Sequence, residues 1–427
     1  MLCCSRAGTI LLLKIVRNLF ASGATRYAAL VQTSRLVLIA AQILLALIYT
    51  LPVFSPQLIK DSDYVAFFTG WSILRDGQGS TLYDLDQQVK YQKQIVGTDG
   101  PALPYRLLPF INPPHAALLF MPLAYLSFTA AAYVFLVINA LVAVWIARRL
   151  WQFAAAWSET SRLLLISTFL TTEVFWYGLA TRTMTLIVMA ALIEYFLALR
   201  RQQYTRAAIW LLVGSFKPQL VLLPALIPLA QRRWRLIAVA ASLGLLIALG
   251  ISAYLGFGIW REYFRTLREV SLHGQQYGAN VLLMNNLHML FERGLWPAAV
   301  TPAVYFALAC GIAGTLLMWR STDQFDLRFA ITILLGILVA PHLNYQDTIL
   351  IFLPAAIAYE HARRPQLRIE NVFGLGILVY TFLPPLLIFS GSRVLRWTWP
   401  VVSIVALTAI CTSVLIKTKP AVPDPCR

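Results

Sequence analysis

Charged residues are scarce in this chain of 427 residues. Asp, Glu, Lys and Arg together make up 12% of it, while 59% of the residues are hydrophobic. Soluble domains carry about 25% charged residues, so the composition excludes an ordinary soluble protein. Because hydrophobic segments cross a bilayer as helices, we predict an all-α polytopic membrane protein.

Acidic residues are the scarcer of the two charge signs. There are 18 Asp and Glu against 35 Lys and Arg, which gives a formal net charge of +17. Nucleic-acid-binding proteins also carry such an excess, but here basic pairs lie between hydrophobic runs, as the positive-inside rule describes. We therefore interpret the charge as membrane topology, with both chain termini cytoplasmic and these pairs on the inner side: Arg148-Arg149, Arg200-Arg201, Arg232-Arg233 and Arg363-Arg364.

Metal, nucleotide and disulfide signatures are missing. The five cysteines are terminal or lie in apolar runs, which is no disulfide framework. No His, Cys, Asp or Glu spacing matches a zinc site, and neither GxxxxGK[ST] nor GxGxxG is present. We predict no metal, no cofactor and no nucleic-acid partner.

Hydrophobic runs near the bilayer-spanning length of about 20 residues are frequent. We predict spans at 36–54, 128–147, 163–179, 184–199, 236–257, 298–319, 372–389 and 397–416, with shorter ones at 329–341 and 348–359. Prolines interrupt two more runs, 107–126 and 207–229. We predict that both are re-entrant, although 107–126 is also long enough to cross. The result is one domain over 36–416, with about 10–12 transmembrane helices between cytoplasmic segments 1–35 and 417–427.

Two long outer loops follow from this layout, at about 55–106 and 258–297. In the first, Tyr64, Phe67, Phe68, Trp71 and Leu74 recur at helical spacing, which predicts a helix that lies on the membrane surface. A second, weaker helix is predicted at 84–96. The simpler interpretation is that both only brace the bundle.

Two carboxylates stand where the first predicted span ends. Asp61 and Asp63 precede the helix of the first loop, and a carboxylate there is ordinarily a helix cap. We interpret Asp61 as a cap or solvent-exposed residue. Asp63 adjoins the aromatic face, where partial desolvation would suit a general base.

Further polar side chains interrupt apolar segments. Lys217 lies in the middle of an apolar run, before a proline that breaks the helix; it faces a cavity or an anion, or else extends to the surface. Another polar group separates two apolar runs: His342, Asn344, Gln346 and Asp347. The predicted topology puts this group, Lys217 and Asp63 on one side, which predicts a site rather than only a hydrogen-bonded loop.

Weaker candidates are the amides and histidine of two other segments. Asn112 and His115 lie in INPPH, and Asn285 and Asn286 lie in the second outer loop. Amide side chains suit sugar hydroxyl groups, but they also cap turns.

Four motifs, in this order, resemble glycosyltransferase family 87. They are DYVAFFTGWSILRDGQGSTLYD, NPPHAALLFMPLAYLS, GSFKPQLVLLPAL followed by an arginine cluster, and APHLNYQD, which together cover about residues 61–350. The family contains membrane proteins of the GT-C fold that resemble polyprenyl-phosphate-mannose-dependent mannosyltransferases. The stretch GLATRTM, at 178–184, departs from the Gly-Gln-Asn-like sequence of the family, so mannose specificity does not follow directly.

The resemblance implies a GT-C-like bundle in the cytoplasmic membrane with an extracytoplasmic active site. The expected reaction moves a sugar from a polyprenyl-phosphate donor to a hydroxyl group of a lipid or glycan acceptor, with inversion. It implies Asp63 as the general base and Lys217 and His342 as ligands of the donor phosphate. Possible substrate-binding residues are Asp61, Asn112, His115, Asn285, Asn286, Asn344 and Asp347.

A transporter or lipid flippase remains the alternative, because it would also have broken helices and intramembrane charges. It should show related halves, and no internal repeat is visible in the sequence.

Overall fold

The structure is a computed structural model that describes residues 37, 39–97, 107–272, 284, 286–320 and 323–362, with isolated positions between 404 and 412. Within these ranges all regular secondary structure is helical. The two terminal segments, the predicted span 372–389 and most of the predicted span 397–416 lie outside the described residues. The described residues form an all-α polytopic membrane protein.

Most helices overlap the predicted apolar runs, and others lie within the two predicted outer loops. In chain order they are α1 Ile39–Val53, α2 Pro56–Lys60, α3 Tyr64–Arg75, α4 Leu85–Val96, α5 Pro114–Phe120, α6 Phe128–Phe153, α7 Glu159–Thr171, α8 Glu173–Ala180, α9 Thr185–Arg200, α10 Tyr204–Gly214, α11 Pro218–Ala225, α12 Ile227–Ala230, α13 Trp234–Leu255, α14 Gly258–Leu272, α15 Leu287–Gly294, α16 Pro297–Met318, α17 Phe325–Val339 and α18 Phe352–Ala362. Short 3₁₀ helices lie at Gly79–Thr81, Met121–Tyr125 and Tyr345–Ile351.

Three of these helices, α6, α13 and α16, are long and apolar enough to cross a membrane. The pair α7 and α8 adds a fourth possible span, bent by 42° at Thr172. Thr172 has an extended backbone, and the sequence Thr-Thr-Glu favours a new helix start over continuation, because threonine is a poor helix former and glutamate is stabilised in a first turn. The predicted span 163–179 is therefore broken.

Helix α9 is buried along nearly its whole length and connects two polar clusters. Thr185 begins it, and Glu194 lies nine residues further on, about 14 Å along the axis at 1.5 Å per residue. The carboxylate of Glu194 is fully buried and pairs with Arg149 of α6 and Arg206 of α10, while Trp145 Nε1 donates to it at 3.0 Å. This cluster ties three helices together at the end of the bundle that carries the basic pairs.

The stretch 107–126 turns back at the opposite end of the bundle. Near its start, Leu108 O accepts a hydrogen bond from Gln92 Nε2 of α4, at 2.5 Å. At its end, Ala124 O accepts a hydrogen bond of 2.6 Å from Nη1 of Arg75, which is the last residue of α3. Since α3 and α4 are neighbours in the first loop, both ends lie on one side and the stretch does not cross the bundle.

The second interrupted stretch also turns back, from the other direction. Arg206, near the start of α10, reaches Glu194, and Arg233, before α13, donates to Leu199 O at 3.2 Å. Both ends therefore lie at the basic end of the bundle. Lys217, between α10 and α11, is at the tip of this re-entrant hairpin.

Helix α3 differs from the expected surface helix. Every residue from Tyr64 to Leu74 is buried, including Ala66 and Gly70, which lie off the aromatic stripe. The helix packs against α4, α5, the 3₁₀ helix Met121–Tyr125 and α2, and its aromatic rings contact α6. It is an internal helix of the fold, because these neighbours cover all its faces.

Gly70 provides a test of this packing. A Cβ atom on Gly70 would lie 2.8 Å from Cγ of the fully buried Phe110, so we expect Gly70→Ala to destabilise the protein by about 1–3 kcal/mol through overpacking. Gly250→Ala in α13 is the matched control, since nothing lies within 4 Å of its Cβ position. Thermal unfolding in detergent measures both. Equal midpoints would contradict the internal position of α3.

Candidate active site

A buried ion pair forms the centre of the candidate site. Lys217 Nζ lies 2.6 Å from Asp347 Oδ1, and both side chains are almost fully shielded from solvent. The hydroxyl group of Thr185 donates to the same oxygen and accepts from Lys217 Nζ at 3.1 Å. A second hydroxyl group, from Thr183, donates to Thr185 Oγ1 at 2.7 Å. The tip of the re-entrant hairpin, the start of α9 and the 3₁₀ helix Tyr345–Ile351 thus meet at one point.

The break that presents Lys217 is braced by the INPPH segment. Asn112 Nδ2 donates to Phe216 O at 2.8 Å, and the His115 Nε2 atom lies 3.0 Å from Ser215 Oγ. Two residues expected to bind substrate therefore hold the backbone and side chain immediately before Lys217. These hydrogen bonds engage polar groups of the segment that follows α10, and so they fix the position of Lys217.

Asp63 reaches across the site instead of capping its own helix. Its Oδ2 atom accepts hydrogen bonds from Asn344 Nδ2, at 2.8 Å, and Gln346 Nε2, at 3.1 Å. The side chain makes no cap bond to α3; Ser62 Oγ accepts from the Tyr64 N–H instead, at 3.4 Å. Both side-chain bonds use Oδ2, so Oδ1 is the oxygen left to accept a further proton.

Asn344 connects the two carboxylates of the site. Its side chain donates to Asp63, and its backbone N–H donates to Asp347 Oδ2 at 3.0 Å. The Asp347 N–H in turn donates to Asn344 O at 2.9 Å. One short loop therefore sets the position of Asp63 relative to the ion pair.

Burial dominates the electrostatics of the two titratable groups beside the ion pair. Desolvation raises the pKa of Asp63 above its ordinary value, although the nearby Lys217 and His342 act to lower it. Burial lowers the pKa of His342, and the proximity of Asp63 and Asp347 only partly opposes this. A histidine whose pKa lies below its ordinary value is neutral at neutral pH, and the Asp63 carboxylate, whose pKa is raised, is more basic than an ordinary aspartate.

Some predicted site residues lie away from this centre. Asp61 is exposed, and its Oδ2 atom accepts from Gln57 Nε2 at 2.9 Å. Asn286 is fully buried and donates to Ala340 O at 2.6 Å, where it supports the loop before His342. Asn285 lies outside the described residues. The structure thus brings Asp63, Lys217 and the 342–347 segment together and leaves Asp61 outside.

Sequence reasoning missed the hydroxyl groups of Thr183 and Thr185. Neither carries a charge, so neither stands out in an apolar chain. The available signal was the stretch GLATRTM, which departs from the pattern of the resembled family and, with the residue after it, supplies both threonines. In the described part of the chain, no group of three or more His, Cys, Asp or Glu side chains could hold a metal ion.

A comparison with known protein families finds a match. The sequence profile of glycosyltransferase family 87 matches residues 110–341, more than half of the chain. The chain belongs to glycosyltransferase family 87. It is therefore a membrane glycosyltransferase, with a sugar donor and an acceptor as its substrates. A search of curated proteins finds no match.

The family 87 match covers part of the candidate site only. Lys217, Thr185 and Asn112 lie inside the matched range, which ends one residue before His342 and does not include Asp63. The position of Asp63 in the site is therefore an observation from the structure. Its contacts with Asn344 and Gln346 join the first loop to the segment that follows the matched range.

The ion pair of this family 87 protein can be tested by a double-mutant cycle. Breaking a buried pair leaves an uncompensated charge, so Lys217→Met or Asp347→Leu alone should cost about 3–5 kcal/mol, whereas the double variant should recover most of it. Thermal unfolding in detergent measures the cycle. Asp61→Asn, at an exposed carboxylate, is the control and should change stability by no more than about 0.5 kcal/mol. Strictly additive losses would show that the two charges do not interact.

Proposed function

We propose that this glycosyltransferase moves a sugar from a polyprenyl-phosphate donor to a hydroxyl group of a lipid or glycan acceptor, with inversion at the anomeric carbon and Asp63 as the general base. The observation that carries the proposal is the difference between the partners of the two carboxylates. Asp347 is neutralised by Lys217 at 2.6 Å, while the hydrogen bonds that Asp63 accepts from side chains of the described residues come from two amides, both to Oδ2.

The proposed step needs one base and no protein acid. The acceptor oxygen attacks the anomeric carbon from the face opposite the phosphate, and its proton passes to Asp63 Oδ1. The bond between the anomeric carbon and the phosphate oxygen breaks, and polyprenyl phosphate departs with the electron pair. The raised pKa of Asp63 supports this role, because a more basic carboxylate takes up the proton more readily.

Lys217 and His342 enter the proposal as hydrogen-bond donors to the departing phosphate. Lys217 Nζ uses two of its three hydrogens on Asp347 and Thr185, which leaves one for a ligand. His342 is neutral and can donate one ring N–H. Neither residue adds an uncompensated positive charge, since Lys217 already has a counter-ion and burial lowers the pKa of His342.

The orientation of the bundle supports an extracytoplasmic site in a cytoplasmic membrane. The basic pairs Arg148-Arg149 and Arg200-Arg201 lie at the end of α6 and α9 that carries the Glu194 cluster. Thr185 and the site are at the other end of α9. By the positive-inside rule the basic end faces the cytoplasm, so the site would face outward. A sugar donor carried by a lipid suits that side, because the reaction then needs no nucleotide sugar.

Substitution of Asp63 tests the base. Asp63→Asn keeps an oxygen that accepts from Asn344 and Gln346 but cannot take a proton, so we expect transfer to fall by about 10²–10⁴-fold with unchanged thermal stability. Transfer of labelled mannose from polyprenyl-phosphate-mannose is measured in membranes with a lipid extract as acceptor, and Asp61→Asn is the control. Equal transfer by wild type and Asp63→Asn would remove Asp63 from the mechanism. No transfer by the wild type would reject the mannose donor or favour a transporter.

The pH dependence gives an independent test. Because burial raises the pKa of Asp63, the acidic limb of the kcat/KM profile should titrate above the ordinary aspartate value of 3.8. Below this limb Asp63 is protonated and cannot accept the proton of the acceptor. The limb should persist in His342→Gln and should not move to lower pH, since the proximity of His342 acts to lower the pKa of Asp63. A limb that disappears in His342→Gln would assign the titration to the histidine.

A further inference from the structure

Arg182 is a fully buried arginine in the short loop between α8 and α9. Its Nη1 atom donates to Ala180 O at 2.6 Å and to Leu179 O at 3.3 Å. In the part of the chain that the structure describes, its Nε and Nη2 atoms have no hydrogen-bond partner. Two of the three guanidinium nitrogens are thus buried donors without an acceptor, and no carboxylate of the described residues forms an ion pair with them.

The local backbone does not explain an arginine at this position. Thr183 N–H donates to Gly178 O and Arg182 N–H donates to Leu179 O, which is the pattern of a helix end closed by a left-handed residue. Arg182 has φ +51°, where glycine is the preferred residue. An arginine at this position has a strained backbone, and its charge is removed from water. Such combinations are typical of functional sites.

The surroundings of Arg182 connect the candidate site to the lipid-facing surface. Thr183, the next residue, begins the hydroxyl chain to Lys217 and Asp347. On the other side, the guanidinium carbon lies 6.0 Å from the ring centre of Tyr133 on α6. Tyr133 is 39% exposed on a helix long and apolar enough to cross the membrane. The guanidinium of Arg182 therefore lies beside Tyr133, a partly exposed residue of an apolar helix. In sequence, Arg182 directly precedes the first residue of the hydroxyl chain.

The charge balance of the site calls for a further cation. Lys217 is already paired with Asp347 at 2.6 Å, and burial lowers the pKa of His342, so neither side chain supplies a free positive charge. Departure of a polyprenyl phosphate adds negative charge at the same place. Guanidinium groups bind phosphates through paired N–H donors, and Nε and Nη2 are the two donors that have no acceptor among the described residues.

We propose that Arg182 binds the phosphate group of the isoprenoid lipid donor through Nε and Nη2. The inference rests on the proposed polyprenyl-phosphate donor and names the residue that recognises its phosphate. Because both nitrogens are buried, a neighbouring side chain must move when the lipid binds. Tyr133 lies near the guanidinium and is partly exposed, so we expect its ring to move.

The test compares two lipids that differ only in the phosphate. Polyprenyl phosphate and the corresponding polyprenol are titrated against the purified full-length chain in detergent, as wild type, Arg182→Gln, Arg182→Lys and the control Arg201→Gln. We expect Arg182→Gln to weaken polyprenyl phosphate binding by about 10- to 100-fold and to leave polyprenol binding unchanged. Arg201→Gln, at an exposed residue beside the end of α9 that is far from Thr185, should bind both lipids like the wild type. Wild-type affinity of Arg182→Gln for polyprenyl phosphate would overturn the proposal.

Two further measurements complete the test. If Arg182→Gln does not fold, Arg182→Lys replaces it in the test. Arg182→Lys should lose part of its affinity for polyprenyl phosphate and none of its affinity for polyprenol. Unchanged binding of both lipids would overturn the proposal. Phosphatidic acid replaces polyprenyl phosphate in a third titration. Arg182-dependent binding of equal strength would overturn the isoprenoid assignment in favour of any lipid phosphate.

The proposed function and the role of Arg182 can fail separately. A wild type that binds polyprenyl phosphate through Arg182 but transfers no mannose would retain the phosphate site and reject the sugar or acceptor. A wild type that transfers mannose, with an Arg182→Gln variant of unchanged donor KM, would retain the function and reject the phosphate site.

Discussion

The ion pair between Lys217 and Asp347 is the interaction on which the rest of the candidate site depends. A lysine at the tip of a re-entrant hairpin has no water to solvate it, so its charge must be met by a carboxylate from elsewhere in the chain. Asp347 does this and is itself held by the backbone of Asn344. The side chain of Asn344 then holds Asp63. The need to neutralise one buried lysine therefore determines where the proposed base lies.

The same principle organises the opposite end of the bundle. Glu194 is fully buried, and two arginines and a tryptophan satisfy its carboxylate. Both clusters include α9, which is buried along nearly its whole length. A bundle whose outer helices face lipid gains little from hydrophobic contact between helices, so polar contacts of this kind specify how the helices associate. The two clusters differ in their neighbours, because Asp63 of the first predicted loop reaches the segment that holds Asp347.

Sequence reasoning predicted the helices well because a long apolar run in a charge-poor chain almost always forms a membrane or core helix. It also identified Lys217, Asp63 and Asp347, since a charge between apolar runs is conspicuous. The burial of α3 was not predictable, because a stripe of aromatic residues does not distinguish a lipid surface from a protein neighbour. Thr185 was missed because hydroxyl groups are common at helix starts. Asn112 and His115 were found for their polarity, but only contacts show that they brace the break before Lys217.

The contact between Asp63 and Asn344 joins residues that are 281 positions apart in sequence. A site closed by such a distant contact cannot form until the segment around Asn344 has been synthesised, because Asp63 leaves the ribosome long before its partners do. High contact order makes the assembly of this region a late step in folding. The helices of the first loop therefore lack these contacts until the segment after α17 has been made, and the candidate site assembles late among the described parts of the protein.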